Sequence, residues 1–121
     1  MKIAISANMN TIEAQFSQRF GRCDFFILID SETRAWEAFH NPAASARGGA
    51  GPQAVQFIAD KGSEAIISGR YGPSAFTALE AAGIKAYLAE DGTVNEVLDK
   101  FLADELESTT AATGPELHGR G

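Results

Sequence analysis

Four of the chain's six arginines lie in glycine-containing segments beside predicted strands and helices: Arg19, Arg22, Arg47 and Arg70. The stretch RGGAGPQAVQF at residues 47–57 runs directly into a predicted helix start. Helix N-termini present unpaired N–H groups and a partial positive charge, and arginine adds forked donors that stay charged at physiological pH. Because the whole chain has a formal net charge of −6, this gathering of arginines predicts a local anion-binding site.

The glycine loop does not fit a nucleotide site. Gly49, Gly51 and Ala54 match the spacing of the dinucleotide pattern, but that pattern turns directly from a strand into a helix. Here at least eight residues separate His40, which ends a predicted strand, from Gly49, and the next strand ends at Ser68 without an acid. A Walker A sequence is also missing. The pattern therefore favours an anion other than a nucleotide.

Three side chains are candidate metal ligands: Met9 in the first long loop, Cys23 after the RFGR turn and His40 before the glycine loop. Thiol, thioether and imidazole groups suit soft metals. Each has a structural alternative, Cys23 as a small buried residue and His40 as a local hydrogen-bonding residue. A hydrolase is not indicated, since the chain has no nucleophile elbow and the first strand, KIAIS, has no carboxylate for magnesium. The residues favour a binding protein over an enzyme.

Hydrophobic patterning predicts alternating strands and helices. The predicted strands are residues 2–6, 24–30, 35–40, 64–68 and 84–88, and the predicted helices are residues 52–61, 73–82 and 93–106. A Gly-Pro pair opens each of the first two helices, and Thr93 and Glu96 have capping-box spacing before the third. We expect a three-layer α/β fold with a five-stranded mixed sheet whose second strand is antiparallel. Loops 7–22, 41–51, 69–72 and 89–92 then share the carboxyl edge, where open α/β sheets bind ligands.

Length and composition predict one domain over residues 1–106 and a flexible tail over residues 107–121. The chain has 121 residues, of which 45% are apolar and 21% charged, and one cysteine. The start of the chain has no signal-peptide pattern, no segment is long enough to span a membrane, and the negative charge disfavours nucleic acid. We expect a cytoplasmic protein without nucleic-acid or membrane partners.

An ordered series of motifs carries a family resemblance: SQRFGRCDFFILID, HNPAA, GAGPQAVQFIADKG and AIISGRYGPSAFTALEAAGIKAY. Together they resemble the dinitrogenase iron–molybdenum cofactor biosynthesis family, which includes nitrogenase cofactor carriers and molybdenum–copper orange proteins. The resemblance implies a ribonuclease H-like fold without its catalytic acids. It also implies non-catalytic storage or delivery of an anionic metal–sulfur cluster, either a molybdenum–copper sulfide or an iron–molybdenum cofactor precursor. Cofactor donor or acceptor proteins would be the partners of a monomer or weak homodimer.

The resemblance also implies a binding region made of three motifs. Its residues are Ser17, Arg19, Phe20, Gly21 and Arg22, then Gly49, Gly51, Pro52 and Gln53, then Gly69, Arg70 and Gly72. The arginine pattern adds Arg47, and Met9, Phe20 or Tyr71 would shield one side of the cluster. Many relatives have a histidine just before the glycine loop, where this chain reads ARGG. That difference favours a cluster held by charge and hydrogen bonds, as a molybdenum–copper sulfide would be, and leaves a cofactor-free regulatory or partner-binding module as the alternative.

Overall fold

Six strands and three helices form the described part of the chain, residues 1–109, in a computed structural model. The strands are β1 (Lys2–Ala7), β2 (Phe25–Asp30), β3 (Trp36–His40), β4 (Ala65–Ser68), β5 (Lys85–Leu88) and β6 (Glu107–Thr109). The helices are α1 (Ala50–Asp60), α2 (Pro73–Ala82) and α3 (Val94–Leu102). Within residues 1–109, none of the helices is long and apolar enough to cross a membrane.

The strands form one mixed sheet in the order β3-β2-β1-β4-β5-β6. Strand β2 pairs antiparallel with both β1 and β3, so the predicted reversal of the second strand is confirmed. Strands β1, β4 and β5 pair in parallel. The two parallel connections contain α1 and α2, because parallel strands need a crossover connection.

The predicted count of five strands is wrong, because Glu107–Thr109 pairs antiparallel with β5 at the sheet edge. This sixth strand lies in the stretch predicted as tail, and residues 110–121 lie outside the described residues. Helix α3 ends at Leu102, earlier than predicted, and Asp104 adopts a left-handed backbone conformation with φ of 61°. The turn at Asp104 redirects the chain toward β5. A three-residue edge strand with the sequence EST has too little apolar pattern to be recognised.

Two separate cores lie on the two faces of the sheet, which gives the predicted three layers. One core joins α1 and α2 to strand residues such as Phe26 and Ile66. The other joins α3 to Ile5, Ile27 and Ile67. Each of these strand side chains is fully buried, as expected for alternating residues of a sheet covered on both faces.

Helix α3 begins with a side-chain cap, and helices α1 and α2 do not. Helix α3 has the predicted capping box, in which the Glu96 amide donates to Thr93 Oγ1 at 3.2 Å and the Thr93 amide donates to Glu96 Oε1 at 2.8 Å. Helices α1 and α2 follow Gly49 and Gly72 and have neither a side-chain cap nor an acidic residue in the first turn. Their first-turn N–H groups are therefore available for another acceptor.

Candidate functional site

The loops after β1, β3, β4 and β5 leave the sheet at one edge, as the sequence predicts. Ala7 at the end of β1 pairs with Phe25, which pairs with His40 at the end of β3. On the other side, Ser68 at the end of β4 pairs with Leu88 at the end of β5. Strand register thus brings the three arginine-containing segments to the carboxyl edge.

Buried serines tie the first loop to this edge. The Ser17 amide donates to the Ser6 carbonyl at 2.9 Å, and Ser6 Oγ donates to the Ser17 carbonyl at 2.5 Å. Ser6 Oγ also lies 2.9 Å from Ser68 Oγ, so one hydroxyl joins the first motif to the ends of β1 and β4. Ser17 Oγ accepts from the Arg19 amide at 3.3 Å. Ser17 therefore fixes the backbone of residues 17–19 against the ends of β1 and β4.

Phe20 and Tyr71 anchor two of the arginine segments in the core. Phe20 is 1% exposed, and its ring centroid lies 5.5 Å from that of Phe26 and 5.6 Å from that of Tyr71. Burial raises the pKa of Tyr71, whose hydroxyl donates to the Tyr87 carbonyl at 2.7 Å and lies 3.2 Å from the Ile66 carbonyl. The expectation that Tyr71 shields a ligand is wrong because its side chain is fully buried. Each ring lies in the core beside an exposed arginine.

Arg19 and Arg70 are direct neighbours across two loops. An isolated parallel β-bridge pairs the two residues, and both are exposed. Within residues 1–109, neither guanidinium forms a hydrogen bond or an ion pair, and the same holds for Arg47. Like charges at directly paired positions repel each other. An anion bound between Arg19 and Arg70 would remove that repulsion.

Arg22 has a different role from the other three arginines. Its guanidinium donates to the carbonyl of Ala44 at 3.3 Å and to that of Ala46 at shorter range. Asn41 fixes the same two loops together, since its amide nitrogen donates to the carbonyls of Gly21 at 3.1 Å and Cys23 at 2.9 Å. Arg22 thus holds the glycine loop in place and also brings positive charge to it.

A cavity of about 410 Å³ lies between the N-termini of α1 and α2. It is lined by Phe20, Gly21, Arg22, Gly49, Ala50, Gly51, Pro52, Gly72, Pro73, Ser74 and Ala75. The first turns of two uncapped helices therefore face one space beside Arg22, an arrangement suited to an anion. Sequence reasoning missed the α2 residues Ser74 and Ala75, although the second Gly-Pro pair marked the start of that helix.

A second cavity near β6 has the opposite charge. Its volume is about 390 Å³, and Glu90, Asp91, Glu105 and Glu107 line it together with Lys100. Four carboxylates against one ammonium group disfavour an anion by direct repulsion. The two cavities have similar size, so charge identifies the α1–α2 cavity as the candidate site.

Gly51 permits the close approach of the two helices. A Cβ atom on Gly51 would lie 2.7 Å from Ala75 Cβ and 3.2 Å from Ala75 Cα. We expect Gly51→Ala to push the two N-termini apart and lower the free energy of unfolding by about 1 to 3 kcal/mol, measured in urea. Gly48→Ala is the matched control, because a Cβ there would meet no atom within 4 Å. Equal stability of the two variants would show that this helix contact is not tight.

Cys23 is buried and does not reach the site surface. It is 2% exposed, Sγ donates to the Phe20 carbonyl at 3.3 Å, and burial raises the pKa of the thiol to about 12. A protonated, buried thiol is a poor metal ligand, which argues against the candidate role predicted for it.

We therefore expect Cys23 to react slowly with a thiol reagent at pH 7 in the folded protein and rapidly in denaturant. The Cys23→Ala variant should also bind anions as the native chain does. Rapid labelling of the folded protein, or loss of anion binding from a folded variant, would contradict the buried structural role.

The other two candidate ligands are exposed and separate from any ligand cluster. Met9 is 59% exposed, and His40 is exposed with its ring edge-on to Phe25 at 4.9 Å between centroids. Among residues 1–109, no three His, Cys, Asp or Glu side chains are grouped so that they could hold a metal ion. The described site offers hydrogen-bond donors and positive charge.

Comparison with known proteins shows which family this chain belongs to. Residues 1–104 match the family model described as dinitrogenase iron-molybdenum cofactor. The chain belongs to this family. It is also 32% identical over 110 residues to an uncharacterized protein of Methanocaldococcus jannaschii, covering 88% of this chain and 90% of that one.

Two solved structures share the fold and part of the sequence. The apo form of the orange protein from Desulfovibrio gigas superposes with a TM-score of 0.89 at 33% identity, covering 93% of this chain and 96% of that one. A Thermotoga protein named as a candidate NifB protein gives a TM-score of 0.83 at 38% identity, covering 94% and 97%. The family and these neighbours support a role in cofactor binding or cofactor biosynthesis.

Proposed function

We propose that this protein binds an anionic metal–sulfur cluster without catalysis and stores it or delivers it to another protein in the cytoplasm. The Arg19–Arg70 pair carries the proposal, because two neighbouring, unpaired cations lie at the edge that also bears two uncapped helix N-termini. Family membership supports the same class of cargo. We also propose that the fold is ribonuclease H-like.

A molybdenum–copper sulfide is the cargo that these donors suit best. Its outer sulfides accept hydrogen bonds and carry negative charge, while its metals are already coordinated by sulfide. Exposed guanidinium groups and the first-turn N–H groups of α1 and α2 can bind those sulfides. Direct bonds from protein to metal are not required, in agreement with the buried thiol of Cys23 and the isolation of His40. An iron–molybdenum cofactor precursor is the second cargo of the same class.

The mechanism we propose is electrostatic capture followed by fixed hydrogen bonding. Arg19, Arg47 and Arg70 are exposed and make no bonds to residues 1–109, so their side chains can adjust to the anion as it arrives. The backbone N–H groups in the α1–α2 cavity are held by the helices and need no rearrangement. Because the guanidinium groups are exposed, dissolved salt screens their attraction for the cluster. High ionic strength would therefore favour release of the cluster.

The test is a visible absorption titration of metal-free protein with tetrathiomolybdate and then Cu(I). We expect protein-dependent charge-transfer bands that saturate and stay with the protein on gel filtration at low salt. Copper alone and tetrathiomolybdate alone are the control titrations. Absence of retained colour would contradict the molybdenum–copper cargo, and the same retention assay with an iron–molybdenum precursor would then separate the second cargo from a cofactor-free module.

A further inference from the structure

Strand β3 is an open edge of the sheet. It is the first strand in the order β3-β2-β1-β4-β5-β6, and within residues 1–109 no strand lies beyond it. The Asp30 amide donates to the Ala35 carbonyl and the Asn41 amide donates to the Asp24 carbonyl, both at 2.9 Å. Since antiparallel pairs alternate, the backbone groups of Trp36, Ala38 and His40 point away from β2. These outward N–H and C=O groups can pair with another strand.

We propose that a second copy of the chain pairs antiparallel with this edge, with Ala38 opposite Ala38 of the second copy. This register pairs all five β3 residues and sets Trp36 against His40 of the second copy. Trp36 is 40% exposed and His40 is exposed, so both rings have apolar surface to bury. The small side chain of Ala38 at the two-fold axis lets the two backbones approach to hydrogen-bonding distance.

Charge complementarity favours a second copy as the occupant. In this register Glu37 lies opposite Phe39 of the second copy, and Lys61 Nζ lies 4.4 Å from the Phe39 ring centroid. Each exposed Glu37 carboxylate therefore meets the ammonium group of the other chain's Lys61. The two lysines also offset the repulsion between the diagonally placed Glu37 side chains. The edge is thus complementary to itself, as a two-fold interface requires.

The proposed dimer leaves both arginine sites open. Antiparallel pairing around a two-fold axis joins the two sheets edge to edge and directs their carboxyl edges in opposite directions. The loops that carry Arg19, Arg47 and Arg70 therefore lie at opposite ends of the joined sheet. Dimerisation and anion binding can be tested separately, and the failure of one does not imply failure of the other.

Sedimentation equilibrium of the full chain tests the interface. An edge of five residues makes a small contact, so we expect a reversible dimer to appear between about 10 and 500 µM. Trp36 is the only tryptophan, and its fluorescence should shift to shorter wavelength as the dimer forms. Ala38→Pro removes an outward donor and leaves the ladder to β2 intact. It should weaken the dimer more than tenfold while far-UV circular dichroism stays unchanged.

Charge variants then test the register. Glu37→Lys should weaken the dimer about three- to tenfold, and Glu37→Lys/Lys61→Glu should restore it to within about twofold. Glu80→Lys is the control, because it changes the net charge by the same amount as Glu37→Lys but lies on α2, away from the β3 edge. It should leave the dimer unchanged. A monomer throughout the concentration range overturns the proposal. Equal weakening by Glu37→Lys and Glu80→Lys, or failure of the double variant to recover, also overturns it.

Discussion

Replacing Arg19 and Arg70 together by alanine is expected to weaken retention of the tetrathiomolybdate–copper product about 10- to 100-fold. This range corresponds to about 1.4 to 2.7 kcal/mol for two charge-assisted contacts at an exposed site. The metal-free variant should unfold no more easily than the native chain, because the substitution also removes the repulsion across the bridge that pairs the two residues. Binding and stability should thus respond in different directions, which a simple folding defect would not produce. Visible-absorption titration and urea unfolding measure the two quantities.

Lys2→Ala/Lys85→Ala is the matched control, because it removes two exposed positive charges from the opposite edge of the sheet. It should retain colour as the native chain does at the same ionic strength. Equal loss in the two double variants would mean that total charge, and not the arginine bridge, attracts the anion. Arg22→Ala is a less clean test, since Arg22 also holds the carbonyls of Ala44 and Ala46.

The second large effect is expected from Phe20→Ala, which should lower the free energy of unfolding by about 3 to 5 kcal/mol. Phe20 is 1% exposed and packs against Phe26 and Tyr71, so truncation leaves a cavity beneath the first arginine motif. Urea unfolding followed by circular dichroism measures the loss.

Phe101→Ala provides the comparison, because Phe101 is only partly buried and contacts Tyr87 near the opposite face. We expect a smaller loss for that variant. If Phe20→Ala lowers the free energy of unfolding by less than about 1 kcal/mol, the ring is not part of the core.

The sequence predicted the parts of the fold that depend on local chemistry. Apolar runs located the first five strands, and Thr93 with Glu96 located the start of α3. The second Gly-Pro pair located the start of α2, and the first predicted α1 to begin at Pro52, two residues after its observed start at Ala50. These signals act within a few residues, so they can be read without knowledge of long-range contacts. The shared edge followed from the rule that parallel strands end on the same side.

The parts that were missed depend on contacts between distant residues. Strand β6 forms because β5 offers an edge, and its own residues carry no pattern. The burial of Tyr71 depends on its contact with Phe20 from another loop. The role of Arg22 depends on two carbonyls more than twenty residues away along the chain. None of these partners can be identified from residue type and spacing alone.

The candidate site also combines local signals with long-range contacts. The sequence identified glycines and arginines as residues suited to anion binding, and the structure shows which of them are neighbours. The bridge between Arg19 and Arg70 and the contact of Gly51 with Ala75 are tertiary facts. The function of these neighbouring residues remains our proposal.

The most direct test of this proposal is amide-resolved NMR of isotope-labelled protein, titrated with tetrathiomolybdate and Cu(I) under reducing conditions. Bound Mo(VI) and Cu(I) are diamagnetic, so every affected amide remains observable. We predict that shift changes concentrate in residues 17–22, 47–53 and 69–75, including Ser74 and Ala75 at the first turn of α2. Changes centred on the acidic cavity around Glu90 and Glu105, or none that saturate, would contradict an anion site at the arginine edge.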